Sequence, residues 1–423
     1  MPQISHLSSL EILDSRGRPT VQATVQLLGG VPGTASVPSG ASTGSAEALE
    51  LRDHDPTRYG GLGCRRAVAN INGEIAQAIL RREFSHHAEL DRALIDLDGT
   101  ANKSRLGANA ILAVSIAFAR AAAAAQGVPL YQHFAHMIAQ PLRTLPRLTV
   151  NLFSGGKHAG GQVPIQDVLV VPVAARTIDD GLATVYAVYQ AAAKLTMEKY
   201  GSRALKADEG GLAPPFRSVE EMFDVAVDSI RAAGFAPGDE VALAVDVAST
   251  HFYDGDVYHL PDGTRNAAGI IEMLQQWTER WPIVSLEDGL HENDWANWPA
   301  LRHTIGDRCL VLGDDFLCTN PARIRRAIEA NAANALLLKV NQIGTVTEAA
   351  ESLKLARDAG WRVTISARSG ETEDNWLADL AVGWAGDQIK VGSIAQSERL
   401  SKYNRLLAIE AETRLPVVER SFQ

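Results

Sequence analysis

Val21-Gln-Ala-Thr-Val-Gln-Leu27 alternates apolar with polar residues and stops at Gly29-Gly30, which reads as a strand running into a turn. Residues 34–37 offer the returning arm of a hairpin, and the small-residue loop Pro38-Ser-Gly-Ala-Ser-Thr-Gly44 follows. From about Val68 to Ala135 apolar positions recur at helical spacing instead, most clearly over 109–126. Strands first and helices afterwards predict an α+β unit.

Beyond about residue 146 the texture changes. Short apolar runs recur, and many of them lead to an ionisable residue. Residues 241–245 lead to Asp246, 283–286 to Glu287 and 310–313 to Asp314; 335–338 lead to Lys339, 363–366 to Arg368 and 388–389 to Lys390. The intervals can each hold a buried strand, a loop and an amphipathic helix, such as 321–332 and 346–359. A succession of βα units with chemistry at the C-terminal ends of strands predicts a (β/α) barrel. No Pro- or Ser-rich linker parts the halves, so two directly packed domains are expected, 1–138 and 139–423.

Charge narrows the partners. Among 423 residues, 40 Lys and Arg face 50 Asp and Glu, a net charge of −10. That balance argues against a nucleic-acid or anionic-membrane surface, while placed cations or a metal could still receive an anionic substrate. Cys64, Cys309 and Cys318 show no CxxC spacing, so neither a disulfide framework nor a zinc site is expected. The start, Met-Pro-Gln-Ile-Ser-His, lacks a signal-peptide layout, and the greasiest stretch, 111–125, is Ala-rich and interrupted by Ser115 and Arg120. A soluble, cytoplasmic protein is expected.

Asp246, Glu287 and Asp314 would converge at one barrel mouth, where a cation must relieve their repulsion; an all-oxygen set suits magnesium better than zinc or copper. A single acid after a strand ordinarily caps a helix. Three in consecutive units, two of them doubled as Glu287-Asp288 and Asp314-Asp315, favour the metal. A lysine ending an apolar run ordinarily snorkels to the surface. Partly buried beside a metal, however, Lys339 or Lys390 would lose proton affinity and could act as a base. Lys206-Ala-Asp-Glu-Gly-Gly211 sets two acids beside flexible glycines, and His158 lies in a glycine-rich loop able to move over a site. The glycines at 60, 61 and 63 lack dinucleotide-binding spacing.

The motifs together resemble the enolase family along most of the chain. They are Asp14-Ser-Arg-Gly-Arg-Pro-Thr20, Pro38-Ser-Gly-Ala-Ser-Thr-Gly44, Glu47-Ala-Leu-Glu-Leu-Arg-Asp53, Asp96-Leu-Asp-Gly-Thr100, Leu106-Gly-Ala-Asn-Ala-Ile-Leu-Ala-Val-Ser115, Asp208-Glu-Gly-Gly211, Ser285-Leu-Glu-Asp-Gly289, Lys339-Val-Asn-Gln-Ile-Gly344 and Arg368-Ser-Gly-Glu-Thr-Glu-Asp374. The resemblance implies an N-terminal α+β lid domain, a modified (β/α)8 barrel and a homodimer. It implies a lyase that forms phosphoenolpyruvate from 2-phosphoglycerate or a close phosphorylated or phosphonylated analogue. Asp246, Glu287 and Asp314 would then hold one magnesium and Ser42 a second. Lys339 would be the base, Glu209 the acid, and His158, Asp167, Arg368, Ser369 and Lys390 the substrate contacts. Such sites pair a lysine or histidine base with one or two magnesium ions, as the general case of the superfamily illustrates.

Five positions depart from that pattern. Asp167 stands in place of Glu, Ala367 of His, His251 of Glu, Gln396 of Arg and Ser154 of Asn. Truncating an imidazole at Ala367 is expected to open space beside the leaving hydroxyl. Two alternatives follow: a synthase of phosphonate metabolism akin to carboxyphosphonoenolpyruvate synthases, or a non-catalytic derivative.

Overall fold

The structure, a computed structural model, describes residues 2–41 and 43–419. Strands β1 (Ile4–Leu13), β2 (Pro19–Leu27) and β3 (Pro32–Ser36) form one antiparallel sheet in that order. The alternation seen in β2 is a burial pattern: Val21, Ala23, Val25 and Leu27 face inward. They pack on the helix Ala108–Gln126, which ends on Gly127 in the left-handed region at φ 67°. A side chain at Gly33 would collide with the backbone of Ala117 and Ala121, so strand and helix meet in near contact. Among the described residues this helix alone has the length and apolarity to cross a membrane, yet it is mostly buried inside the protein. Alanine makes that close packing possible and costs little side-chain entropy.

Helix Leu130–Met137 closes the N-terminal region. Its His133 donates Nδ1–H to Gln126 Oε1 at 3.2 Å, leaving a buried, unpartnered Nε2. Burial drives the imidazole down from 6.5 to about 4, with His87 and His136 adding repulsion. A depressed histidine contributes stability that is complete above pH 6.5 and lost as pH falls through 4. At roughly 1.4 kcal/mol per pH unit the loss reaches about 3 kcal/mol. His133→Phe should therefore flatten the melting-temperature profile between pH 7 and 4; parallel profiles would refute this.

The second region is a closed eight-stranded barrel. After β4 (Arg147–Ser154) and β5 (Asp167–Val171) comes a small hairpin, β6 (Leu205–Lys206) and β7 (Leu212–Ala213), attached to the edge of β4. Then follow β8 (Ala242–Asp246), the outlying hairpin β9 (Tyr258–Leu260) and β10 (Gly263–Arg265), β11 (Ile283–Glu287), β12 (Leu310–Gly313), β13 (Ala335–Leu338), β14 (Arg362–Ser366) and β15 (Gln388–Gly392). The barrel order is β4-β5-β8-β11-β12-β13-β14-β15, and β15 pairs with β4 to close it.

β5 breaks the uniform βα expectation, running antiparallel to both neighbours. A parallel return needs a crossover of a dozen or more residues, usually a helix. The β4–β5 link carries only one short 3-10 turn, Gly156–His158, and makes a hairpin instead. Alternate residues of β5, β8, β12 and β13 (Leu169 and Val171; Ala242 and Ala244; Leu310 and Leu312; Ala335 and Leu337) form small apolar clusters apart from the main core. Each large apolar side chain so buried contributes about 1.5–3 kcal/mol. These clusters underlie the strand ends that carry the ionisable residues.

Candidate active site

Strand register sets the acids side by side. Asp167 pairs with Asp246 across β5 and β8, and Asp246 with Glu287 across β8 and β11. Asp314 follows β12, whose Leu312 lies opposite Glu287. Lys339 follows β13, Arg368 lies just past β14, and Lys390 lies within β15 opposite Ser366. Thus every ionisable residue expected at a strand end reaches the same mouth, with Asp167 entering from the start of the reversed strand.

Two lysines sit among the carboxylates. Lys390 Nζ donates to Asp246 Oδ2 at 2.9 Å and to Glu287 Oε2 at 2.7 Å. Lys339 Nζ pairs with Asp314 Oδ2, while Gln342 Nε2 donates to Asp314 Oδ1 at 2.8 Å. Gln166 Nε2 adds a bond to Asp246 Oδ2 at 3.1 Å. Glu287 Oε1 is buried and has no partner.

The charges differ accordingly. Burial opposes ionisation of Asp246, but Lys390 overcomes it and brings the carboxyl down to about 2. Burial and the neighbouring Asp246 hold Glu287 well above the ordinary carboxylate range. Burial disfavours the Lys339 ammonium, yet Asp314 outweighs it and the pKa rises. The lowered lysine expected from sequence is thus reversed while Asp314 is its direct partner. Asp288, at φ 46°, accepts the backbone N–H of Asp314 at 3.0 Å and of Asp315 at 2.8 Å, fixing the turn that presents Asp314.

Among the described residues, two sets of three His or carboxylate groups have ligand atoms mutually within 4.8 Å: His158, Asp167 and Glu209, and Asp288, Asp314 and Asp315. The acidic mouth can therefore hold a metal, although the three expected ligands form no such cluster while Lys390 and Lys339 lie on them.

On the opposite flank His158 donates from Nδ1 to Asp167 Oδ2 at 2.9 Å, and Ser154 donates to Asp167 Oδ1 at 2.5 Å. His158 Nε2 lies 3.9 Å from Glu209 Oε1, and Asn151 Nδ2 donates to Glu209 Oε2 at 3.1 Å. Burial opposes charge on His158, but Asp167 and Glu209 raise it to about 9. Burial likewise opposes charge on Glu209; His158, Arg399 and the two lysines win, and its carboxyl stays below the ordinary range.

His158, Glu209, Asp246, Lys339, Arg368 and Lys390 line one cavity of only about 20 Å3, together with Ala367. His251 is half-buried and lowered to about 4, chiefly by burial. Gln396 takes φ 80° before the last helix, Ser397–Thr413.

Arg368 donates to Glu47 and to Asn341, while Ser369 receives Arg16. Ser42, expected as a metal ligand, lies outside the described residues. Gln166, Gln342 and Asn151 carry no role in the sequence reading, and Asp288 counts there only as the second acid of a doubled pair. Glu47 carries none either, its partner being 321 residues away.

Residues 4–134 match the family model described as "Enolase, N-terminal domain", and residues 142–416 match "Enolase, C-terminal TIM barrel domain". The chain is 45% identical over 413 residues to "Enolase 1" of Methylococcus capsulatus, covering 97% of each protein. It is 47% identical over 420 residues to "Enolase" of Methanopyrus kandleri, covering 97% of this chain and 96% of that one.

Proposed function

The chain belongs to the enolase family, and from that premise we propose that it is a lyase converting 2-phosphoglycerate to phosphoenolpyruvate and water. One observation carries the reading: Lys339 and Glu209, from well-separated parts of the barrel, face a single small cavity among buried cations.

Asp246, Glu287 and Asp314 would hold magnesium. Their hard oxygens and the unpartnered buried Glu287 Oε1 suit such an ion. When bound, magnesium supplies positive charge against the enolate that proton loss creates. We assign Ser42 to a second magnesium on the family resemblance alone.

Lys339 takes the C2 proton at Nζ. Its lone pair becomes available when the charge of Asp314 is engaged elsewhere, because that carboxylate is what holds the ammonium. Glu209 assists the C3 hydroxyl as it leaves. The proton it passes on resides on His158: Asp167 retains Nδ1–H, leaving Nε2–H facing Glu209. Ser154 supports this line by anchoring the other oxygen of Asp167. Arg368, Ser369 and Lys390 receive the substrate's anionic groups.

The phosphonate-pathway alternative has less support than this reaction, since both relatives named above are enolases and match along nearly the whole chain. A non-catalytic role fits poorly with a buried acid and base sharing one cavity. We further place the protein in the cytoplasm as a homodimer, with domains 1–138 and 139–423. Purified protein given 2-phosphoglycerate and magnesium should generate the ultraviolet absorbance of phosphoenolpyruvate. No absorbance over a full magnesium titration would refute the assignment.

A further inference from the structure

We propose that Glu47 is a positioning residue for Arg368, fixing from the N-terminal domain the guanidinium that receives the substrate's phosphate; this rests on the function proposed above. Glu47 closes a turn in which its N–H donates to Gly44 O at 3.1 Å and Gly44 N–H donates back to Glu47 Oε1 at 3.0 Å. From there its carboxylate crosses to the barrel. Arg368 Nη1 donates to Oε2 at 2.9 Å and Nη2 to Oε1 at 3.2 Å, with Asn341 Oδ1 accepting from Nη1 at 3.0 Å. The side chains are only 7% and 3% exposed.

Such a fork fixes the guanidinium plane as well as its position. The turn that carries Glu47 is itself anchored. Ser45 donates from N and Oγ to Glu292 Oε2 at 2.9 and 3.1 Å, and Ala48 N donates to Gln342 O at 2.7 Å. A side chain at Gly44 would come within 2.6 Å of Cys318 Sγ, so the turn lies flat on the barrel. Two residues past Arg368, Gly370 exchanges two backbone bonds with Ser39, at 2.8 and 2.9 Å. The N-terminal domain thus grips Arg368 by both its side chain and its loop.

An arginine immobilised beforehand binds an anion without losing that rotamer freedom again. Removing the grip should therefore weaken phosphate binding rather than slow chemistry. A carboxylate that merely competed with phosphate for Arg368 would have the opposite effect, so the sign decides.

The test compares wild type with Glu47→Gln, which keeps size and loses charge, and Glu47→Asp, which keeps charge and loses reach. Turnover of 2-phosphoglycerate is measured with saturating magnesium, and inorganic phosphate is titrated calorimetrically. For Glu47→Gln, KM for 2-phosphoglycerate and Kd for phosphate should each rise about tenfold while kcat changes less than about threefold. Glu47→Asp should lie between. Unchanged or lower KM and Kd in a folded Glu47→Gln overturn the inference and leave the lyase assignment intact. If Glu47→Gln does not fold, Glu47→Asp decides: a rise in Kd supports the inference and none overturns it. Wild type that binds phosphate without turning over 2-phosphoglycerate overturns the lyase assignment, and the Kd comparison alone then decides Glu47. Wild type that does neither overturns both.

Discussion

Lys339→Met should abolish exchange of the C2 proton of 2-phosphoglycerate with solvent, while Glu209→Gln should preserve exchange and lose elimination. The two residues are assigned to different steps. Lys339, the proposed base, lines the cavity, and methionine keeps its length but offers no proton acceptor. Glu209 faces the protonated His158, and glutamine keeps the bond from Asn151 without carrying a proton. Losing a positioned general base or acid costs roughly a hundred- to ten-thousandfold, about 3–5 kcal/mol in the barrier. Deuterium exchange followed by NMR separates the cases. Wild-type exchange in Lys339→Met would remove that lysine from the first step.

The second large effect concerns the acidic mouth. Asp246→Ala, Glu287→Ala and Asp314→Ala should each lose tight magnesium binding and the rise in melting temperature that magnesium confers on wild type. Glu287→Ala carries a finer expectation. Its carboxyl is buried, has one oxygen without a partner and is held above its ordinary range by burial and Asp246. An imperfectly satisfied buried acid is costly, and Asp246 still pairs with Lys390 after its removal. The metal-free variant should therefore melt no lower than metal-free wild type while responding to magnesium no longer. Unchanged magnesium affinity by calorimetry in all three variants would dispose of the site.

What could be read from the chain follows a physical divide. β8, β11, β12 and β13 were legible because their apolar runs stop at residues that carry chemistry. β4 and β5 were not. Thr149 bonds Gln388 inside the barrel and Asn151 bonds Glu209, so polar residues interrupt the apolar signal of β4. β5 begins on Asp167, whose meaning depends on a reversal that no periodicity records. The helix 109–126 is legible to within one residue because its caps and composition are local. Pairings such as Lys390 with Asp246 and Glu287, or Arg368 with Glu47, join distant segments and emerge only on folding. The direction of the Lys339 shift turned on that same closure, since burial and Asp314 act in opposite senses.

The reversed β5 also limits how this barrel can be rearranged. Barrels made wholly of βα units possess an approximate rotational repeat, so one half can in principle be exchanged for another. Here the β4–β5 hairpin has no counterpart elsewhere in the ring, and a cut-and-paste of half-barrels would set parallel strands where an antiparallel ladder is required. Recombination of this scaffold is therefore confined to junctions that keep β4, β5 and β8 as one block, with Asp167 and Asp246 inherited together.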